Sequence, residues 1–331
     1  MLCITSPVFA DSSLITDEVS LSVSAGTLSS KISYADKYRI TNLKLEGELN
    51  MDDIKFLREM AGCYTDGDGF RVDGHLQSLD LSAAQFEYDI DFDVYAPNGD
   101  KFTARFADSS ACDYLFAYLR NLQKLWLPGN LMSIGNKMFY NDNTLEAVYA
   151  PSCVVNIGDN AFYGCGRWLT MFSIPENVTS IGSGAFSNCE GLTSLNIPSG
   201  VTSIGYIAFA ITGLTTITIP AGITDLGNSA FSGCSDLKSI YSCLMSPDKF
   251  GSSKNENQPL FIGVDMDKCV LYVPYGTTDI YRSLYCWKGF KNIVEFDAST
   301  LDVRSASVNN DVVEISRHAI DGTRLDAPPE A

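Results

Sequence analysis

The sequence predicts an α/β solenoid, a stack of short coils with a parallel β-sheet along one face and short helices or turns along the other. Three observations predict it. A leucine recurs at Leu122, Leu145, Leu169, Leu192, Leu214 and Leu237, in steps of 23, 24, 23, 22 and 23 residues. A proline keeps the same beat at Pro128, Pro151, Pro175, Pro198 and Pro220. So do a glycine (Gly135, Gly158, Gly182, Gly205, Gly227) and a phenylalanine (Phe139, Phe162, Phe186, Phe209, Phe231).

One unit, LTSLNIPSGVTSIGYIAFAITG at 192–213, shows what each position is for. Leu192, Leu195 and Ile197 point inward, and Ser194 and Asn196 point outward, by the two-residue period of a strand. Pro198 ends the strand because it cannot donate to a ladder. Val201 and Ile204 turn back into the core, Gly205 allows a tight bend, and Ala208 and Phe209 fill the far side. One coil cannot cover these faces alone, so the coils must stack. Cys165, Cys189 and Cys234 recur three residues after the phenylalanine and are expected as small buried hydrophobes.

These markers place five regular repeats at 122–241. Residues 11–121 read as an irregular N-terminal repeat region or cap. ITNLKL at 40–45 and LQSLDL at 76–81 show the strand half of a unit. Between them the pattern predicts a helix over 50–60, with Asn50 as N-cap, Asp52 and Asp53 complementing the dipole, Gly62 ending it, and Ile54, Leu57 and Met60 facing inward. Residues 242–296 read as a C-terminal cap: a strand over 268–274, a short helix capped by Thr278 and running to about Cys286, and a return to the core over 287–295. Residues 297–331 read as a linker and a β tail, with an alternating strand at 312–316 and a hairpin signal at Asp321-Gly322. Residues 1–10 read as the remnant of a secretory signal, with small residues Val8 and Ala10 placed for cleavage.

With 23 basic and 40 acidic residues in 331, the net charge is −17 and the pI near 4.4. That balance argues against nucleic acid and against docking on an anionic membrane. No run of 18 apolar residues occurs, so no transmembrane span is expected. Ten cysteines and two histidines, without any C-x-x-C, give a zinc site little to draw on. Cys63, Cys112, Cys153, Cys243, Cys269 and Cys286 remain able to pair, with partners unassigned. Asp66-Gly67-Asp68-Gly69 begins like a calcium loop, but Phe70 and Gln77 stand where oxygen ligands belong, so a turn is expected. Asp89, Asp91 and Asp93 alternate as a solvated face more readily than as a metal site. Neither His75, in a loop, nor His318, in the tail, stands inside the repeats, and no nucleophile–base–orienter set is visible. No phosphate loop occurs, no cofactor or metal is implied, and the chain is expected not to be an enzyme.

The variable outward positions are the candidate binding residues: Lys124 and Trp126, Tyr149, Met171 and Ser173, and Asn196. Exposed aromatics beside hydroxyls and amides suit protein hot spots or stacking on sugar rings. The competing reading is that they only stabilise the sheet as cross-strand pairs, or lie under a cap.

The pattern L-x-x-[LI]-x-[IL]-P-x-x-[VI]-x-x-[IL]-G-x-x-A-F-x-x-C resembles the BspA-type leucine-rich repeat of surface and secreted proteins from host-associated bacteria and some protists. Lys137-Met138 in the first unit and Thr212 in the fourth depart from it without breaking the apolar pattern. The resemblance implies a curved leucine-rich-repeat solenoid, placement outside the cell or on its surface, and adhesion or recognition of a host or microbial protein or glycan. The segment at 271–296 resembles the closing segment that follows such repeats, and the tail is similar to the opening of the sorting domains of the type IX secretion system. Two alternatives stand beside recognition: a structural spacer within a larger surface protein and, more remotely, a hydrolase.

Overall fold

The computed structural model describes residues 13–64, 72–87, 90–108, 111–250 and 260–300. The expected signal remnant at 1–10, the calcium-like turn, the strand at 312–316, the hairpin signal and His318 lie outside them.

Alternation of apolar and polar residues builds the main face. Six strands run parallel in one sheet: Val19–Val23, Asn42–Leu49, Ser78–Phe86, Lys124–Trp126, Ala147–Tyr149 and Met171–Phe172. Four more run parallel further along the chain: Thr216–Ile219, Ser239–Ser242, Val270–Pro274 and Asn292–Phe296. Their inward residues, such as Leu79, Leu125, Ile217 and Leu271, are almost completely buried. The two ladders are interrupted at the coil that opens on Leu192. That coil buries Leu192, Leu195 and Ile197 as expected but forms no strand on this face. Burial needs only alternating side-chain directions, whereas a ladder also needs amides and carbonyls at bonding distance.

A second parallel ladder follows each turn-back, from Ser133–Ile134 through Asn156–Ile157, Ser180–Ile181 and Ser203–Ile204 to Asp225–Leu226. Beyond it the coil closes in turns, with no helix among the described residues of the repeats. Two residues per coil, at −2 and +2 from the phenylalanine, are left-handed: Lys137 and Asn141, Asn160 and Gly164, Gly184 and Asn188, Ile207 and Ile211, Ser229 and Gly233. The intervening backbone bonds along the stack, with the Phe139, Phe162 and Phe186 N–H groups donating to Ala161, Ala185 and Ala208 carbonyls at 2.7–2.8 Å.

The marker glycines serve a different end from the bend expected of them. None has a positive φ. A Cβ on Gly205 would lie 2.4 Å from the Ser183 nitrogen, and one on Gly227 would lie 2.3 Å from the Gly205 carbonyl carbon. The glycine lets one coil's backbone press on the next.

The phenylalanines form a single column through the core. Phe116, Phe139, Phe162, Phe186, Phe209, Phe231 and Phe261 stack nearly parallel at 5.0–6.0 Å. Both flanks extend it by one ring beyond the five in the repeats, and Trp287 and Phe290 close it edge-on to Phe261. Cys165, Cys189 and Cys234 are fully buried, and their thiols donate to the carbonyls of Phe139, Phe162 and Phe209 at 3.3, 3.1 and 3.0 Å. All nine described cysteines are free thiols, including the six left open for pairing.

At the N-terminal end the helix spans Met51–Met60 under an Asn50 capping box. Asp53 does more than complement a dipole: its buried carboxylate accepts the backbone N–H groups of Gly26, Leu28 and Asn50. Arg58, fully buried, donates to the Leu115 and Ala117 carbonyls at 2.9 Å each, beside the start of the phenylalanine column. An antiparallel sheet of Ile90–Tyr95, Lys101–Asp108 and Ala111–Asp113 packs here, with Phe86 edge-on to Phe106 at 5.5 Å. At the other end the helix is Thr278–Ser283, one residue earlier in its cap and shorter than expected. Thr277 is the N-cap residue, and the Thr278 hydroxyl donates to Glu295 at 2.8 Å.

Candidate functional site

Register fixes the candidate residues before any ligand is considered. Lys124, Ala147 and Met171 are successive partners along one outward column. In the next column Asp80, Trp126 and Tyr149 pair in turn. Leu125, Val148 and Phe172 alternate with them and enter the core.

Trp126 and Tyr149 sit directly opposite one another, and their rings stack at 4.5 Å with 12° between planes. Such a pair contributes about 0.5–1.5 kcal/mol beyond its buried area. Tyr149 remains 41% exposed and Met171 46% exposed, so neither cap covers them. Lys124 and Trp126 are half-buried, and Ser173 is exposed. Ala147, outward by register, is wholly buried beneath its neighbours. Ser173 and Asn196 fall where the ladder is interrupted, so they share the face without belonging to the six-stranded sheet.

On the N-terminal side of Trp126, the Asp80 carboxylate pairs with Lys44 at 3.0 Å. Partial burial opposes ionisation of Asp80, but hydrogen bonds from Ser82 and Lys44 outweigh it and hold this carboxyl below its ordinary range. The sheet face is therefore charged at that end and uncharged beyond Tyr149.

Two aromatic residues outside the candidate set stand further along the face, Tyr241 at an outward position the repeat predicts and Tyr272 at one it does not. Tyr241 and Tyr272 are register partners stacked at 4.3 Å, and Phe296 meets them edge-on at 5.7 and 6.4 Å. Aligning the alternation of SIYS with that of VLYVP would have placed Tyr272 beside Tyr241. The loss of the 23-residue beat between them hid this alignment.

A cleft of about 540 Å³ lies between the Met51–Met60 helix and the Ile90–Tyr95 strand, lined by Lys55, Glu59 and Cys63 among others. Burial pushes the Cys63 thiol up, away from the thiolate a nucleophile needs. Asp91 and Asp93 on its rim pair with Arg105 at 3.3 Å and Lys101 at 3.0 Å. His75 holds the Tyr38 carbonyl through Nδ1 at 2.7 Å. Among the described residues no group of three or more His, Cys, Asp or Glu side chains is arranged to hold a metal ion. Nor is any helix among them long and apolar enough to cross a membrane.

Residues 109–238 match, in six copies, the family described as BspA type leucine rich repeat region. No curated protein matches the chain. Among solved structures, a leucine rich cell surface protein of Faecalibacterium prausnitzii is 28% identical over 56% of this chain and 55% of its own, with a TM-score of 0.36. A leucine-rich repeat protein of Bacteroides ovatus is 27% identical over 47% and 46%, with a TM-score of 0.35. The leucine rich repeat protein of T. pallidum is 20% identical over 59% and 92%, with a TM-score of 0.38. The chain spans about half the length of the first two.

Proposed function

We propose that this leucine-rich-repeat protein is a non-catalytic recognition module of the cell surface or its surroundings, engaging a macromolecule through its sheet face. The observation that carries the reading is the Trp126–Tyr149 stack. It is stacked, directly cross-paired, and lies beside the exposed Met171 on a face that leaves Tyr149 and Met171 open to solvent. Rigid aromatics that need little further ordering are the groups from which binding hot spots are built. The repeat match over 109–238 supports the same reading, because repeats of this kind supply a scaffold and leave the outward positions to vary.

The test is a ligand array probed with the full chain, followed by Trp126→Ala and Tyr149→Ala. Loss of binding at an unchanged melting temperature supports the reading. Unchanged affinity removes these residues from the site, and silence across host proteins, microbial proteins and glycans favours the spacer instead.

A further inference from the structure

The sheet face carries two aromatic pairs, not one, and the ground between them is polar. By the repeat length Tyr149 and Tyr241 fall at equivalent outward positions, with Ser173, Asn196 and Thr218 at the positions between them; of these steps the ladder pairs Thr218 with Tyr241. Four coil steps at about 4.8 Å each place the pairs roughly 19 Å apart. Trp126 covers the Tyr149 ring from one side, and Tyr272 covers the Tyr241 ring from the other. The two aromatic pairs therefore bound the polar stretch.

Charge decides what that stretch suits. From Tyr149 to Tyr272 neither outward column contains a group charged at neutral pH, in a chain with 63 acidic and basic side chains, 40 of them acidic and 23 basic. Charges resume on the strand of Trp126, with Lys124, and on the strands before it, with the Lys44–Asp80 pair. The surface of a protein ligand carries roughly a quarter or more charged residues. Laid on this lane, those charges would lose water without meeting an opposite charge. A polyanion would in addition meet the net charge of −17. A neutral sugar chain brings neither difficulty. Its hydroxyls match serine, threonine and asparagine, and its apolar ring faces match tyrosine.

We propose that this face binds a neutral, linear polysaccharide running along the stack, held at its two ends by Trp126–Tyr149 and Tyr241–Tyr272. The proposal rests on the reading of the face as a recognition surface and gives that surface its ligand class.

The experiment is calorimetric titration of the full chain with cellohexaose, xylohexaose, mannohexaose and maltohexaose, and with a heparin hexasaccharide as the charged comparator. At least one neutral hexasaccharide is expected to bind and the heparin fragment is not. The matching trisaccharide, too short to bridge the pairs, is expected to bind at least tenfold more weakly. Tyr241→Ala should weaken the hexasaccharide roughly fivefold, the scale of one aromatic contact. Ser173→Arg, at an exposed position that leaves the core intact, should weaken it further by blocking the lane. No binding by any of the four neutral sugars, or binding indifferent to both substitutions, overturns the proposal. A protein ligand lost on Trp126→Ala while all four sugars stay silent would sink the polysaccharide and leave the recognition reading standing.

Discussion

Gly205→Ala tests why glycine keeps the beat of this solenoid. If the residue served a left-handed bend, the penalty would come from its dihedral angles, but Gly205 does not have a positive φ. On backbone entropy alone alanine would then stabilise by about 0.4–1 kcal/mol. The packing reverses the sign. The new Cβ would lie 2.4 Å from the Ser183 nitrogen, 2.6 Å from the Gly182 carbonyl carbon and 2.7 Å from the Ser183 Cα. All three are backbone atoms of the preceding coil, so no rotamer change relieves the contact. Reaching ordinary contact needs roughly an ångström of displacement between coils, at the upper end of overpacking costs of about 1–3 kcal/mol. The net expectation is a loss of about 2 kcal/mol, or roughly 3 °C in melting temperature for a chain of this length. Gly200→Ala is the matched control. Its Cβ would meet nothing nearer than the Glu176 carbonyl oxygen at 3.7 Å, and its φ is not positive, so it should be neutral or slightly stabilising. Thermal and urea unfolding of both variants beside the wild type decides the matter. If Gly205→Ala proves no less stable than Gly200→Ala, the close-approach argument is refuted.

Three further outcomes are expected. Phe186→Ala removes a fully buried ring stacked on Phe162 at 5.1 Å and Phe209 at 5.5 Å, and should cost about 3–5 kcal/mol in urea unfolding; a loss under about 1 kcal/mol would contradict the column as a source of stability. Asp142 stands where later coils place cysteine, wholly buried, with Oδ1 accepting the Leu119 N–H at 2.7 Å and Oδ2 without a hydrogen-bond partner. Burial pushes its carboxyl well above the ordinary range, against the opposing pull of the Leu119 N–H and the Arg58 charge. A raised folded pKa means that the folded chain binds more protons than the unfolded one, so this contribution to stability is full below the ordinary carboxylate pKa and is lost as pH rises through the folded value. Asp142→Asn should therefore gain on the wild type between pH 4 and pH 8 in melting temperature, and parallel curves would rule the idea out. Burial holds Cys112 up at about 12 and Cys243 and Cys269 up at about 11, so among the described cysteines iodoacetamide at pH 8 should modify the half-exposed Cys153 before these three. Mass spectrometry finding the three buried thiols labelled at a similar rate in the folded protein would contradict that order.

The sequence by itself determined the solenoid, its beat and its inward residues. Leucine alternation and the recurrence of Pro, Gly and Phe are local patterns, and a local pattern suffices to say which way a side chain points. It also placed Trp126, Tyr149 and Met171 on one face, because coil register follows directly from the repeat length. Other features needed the tertiary structure, because each depends on the distance between coils. That distance makes Gly205 a contact residue rather than a bend, and it decides that the coil of Leu192 keeps its burial but forms no strand on the main face. The two left-handed residues beside each phenylalanine escaped notice because Lys137, Asn160, Ile207 and Ser229 share a conformation and no chemistry. Tyr272 stayed hidden for a related reason. Its alignment with Tyr241 crosses a stretch where the beat fails, and only the folded chain brings the second aromatic pair onto the face that the first had marked.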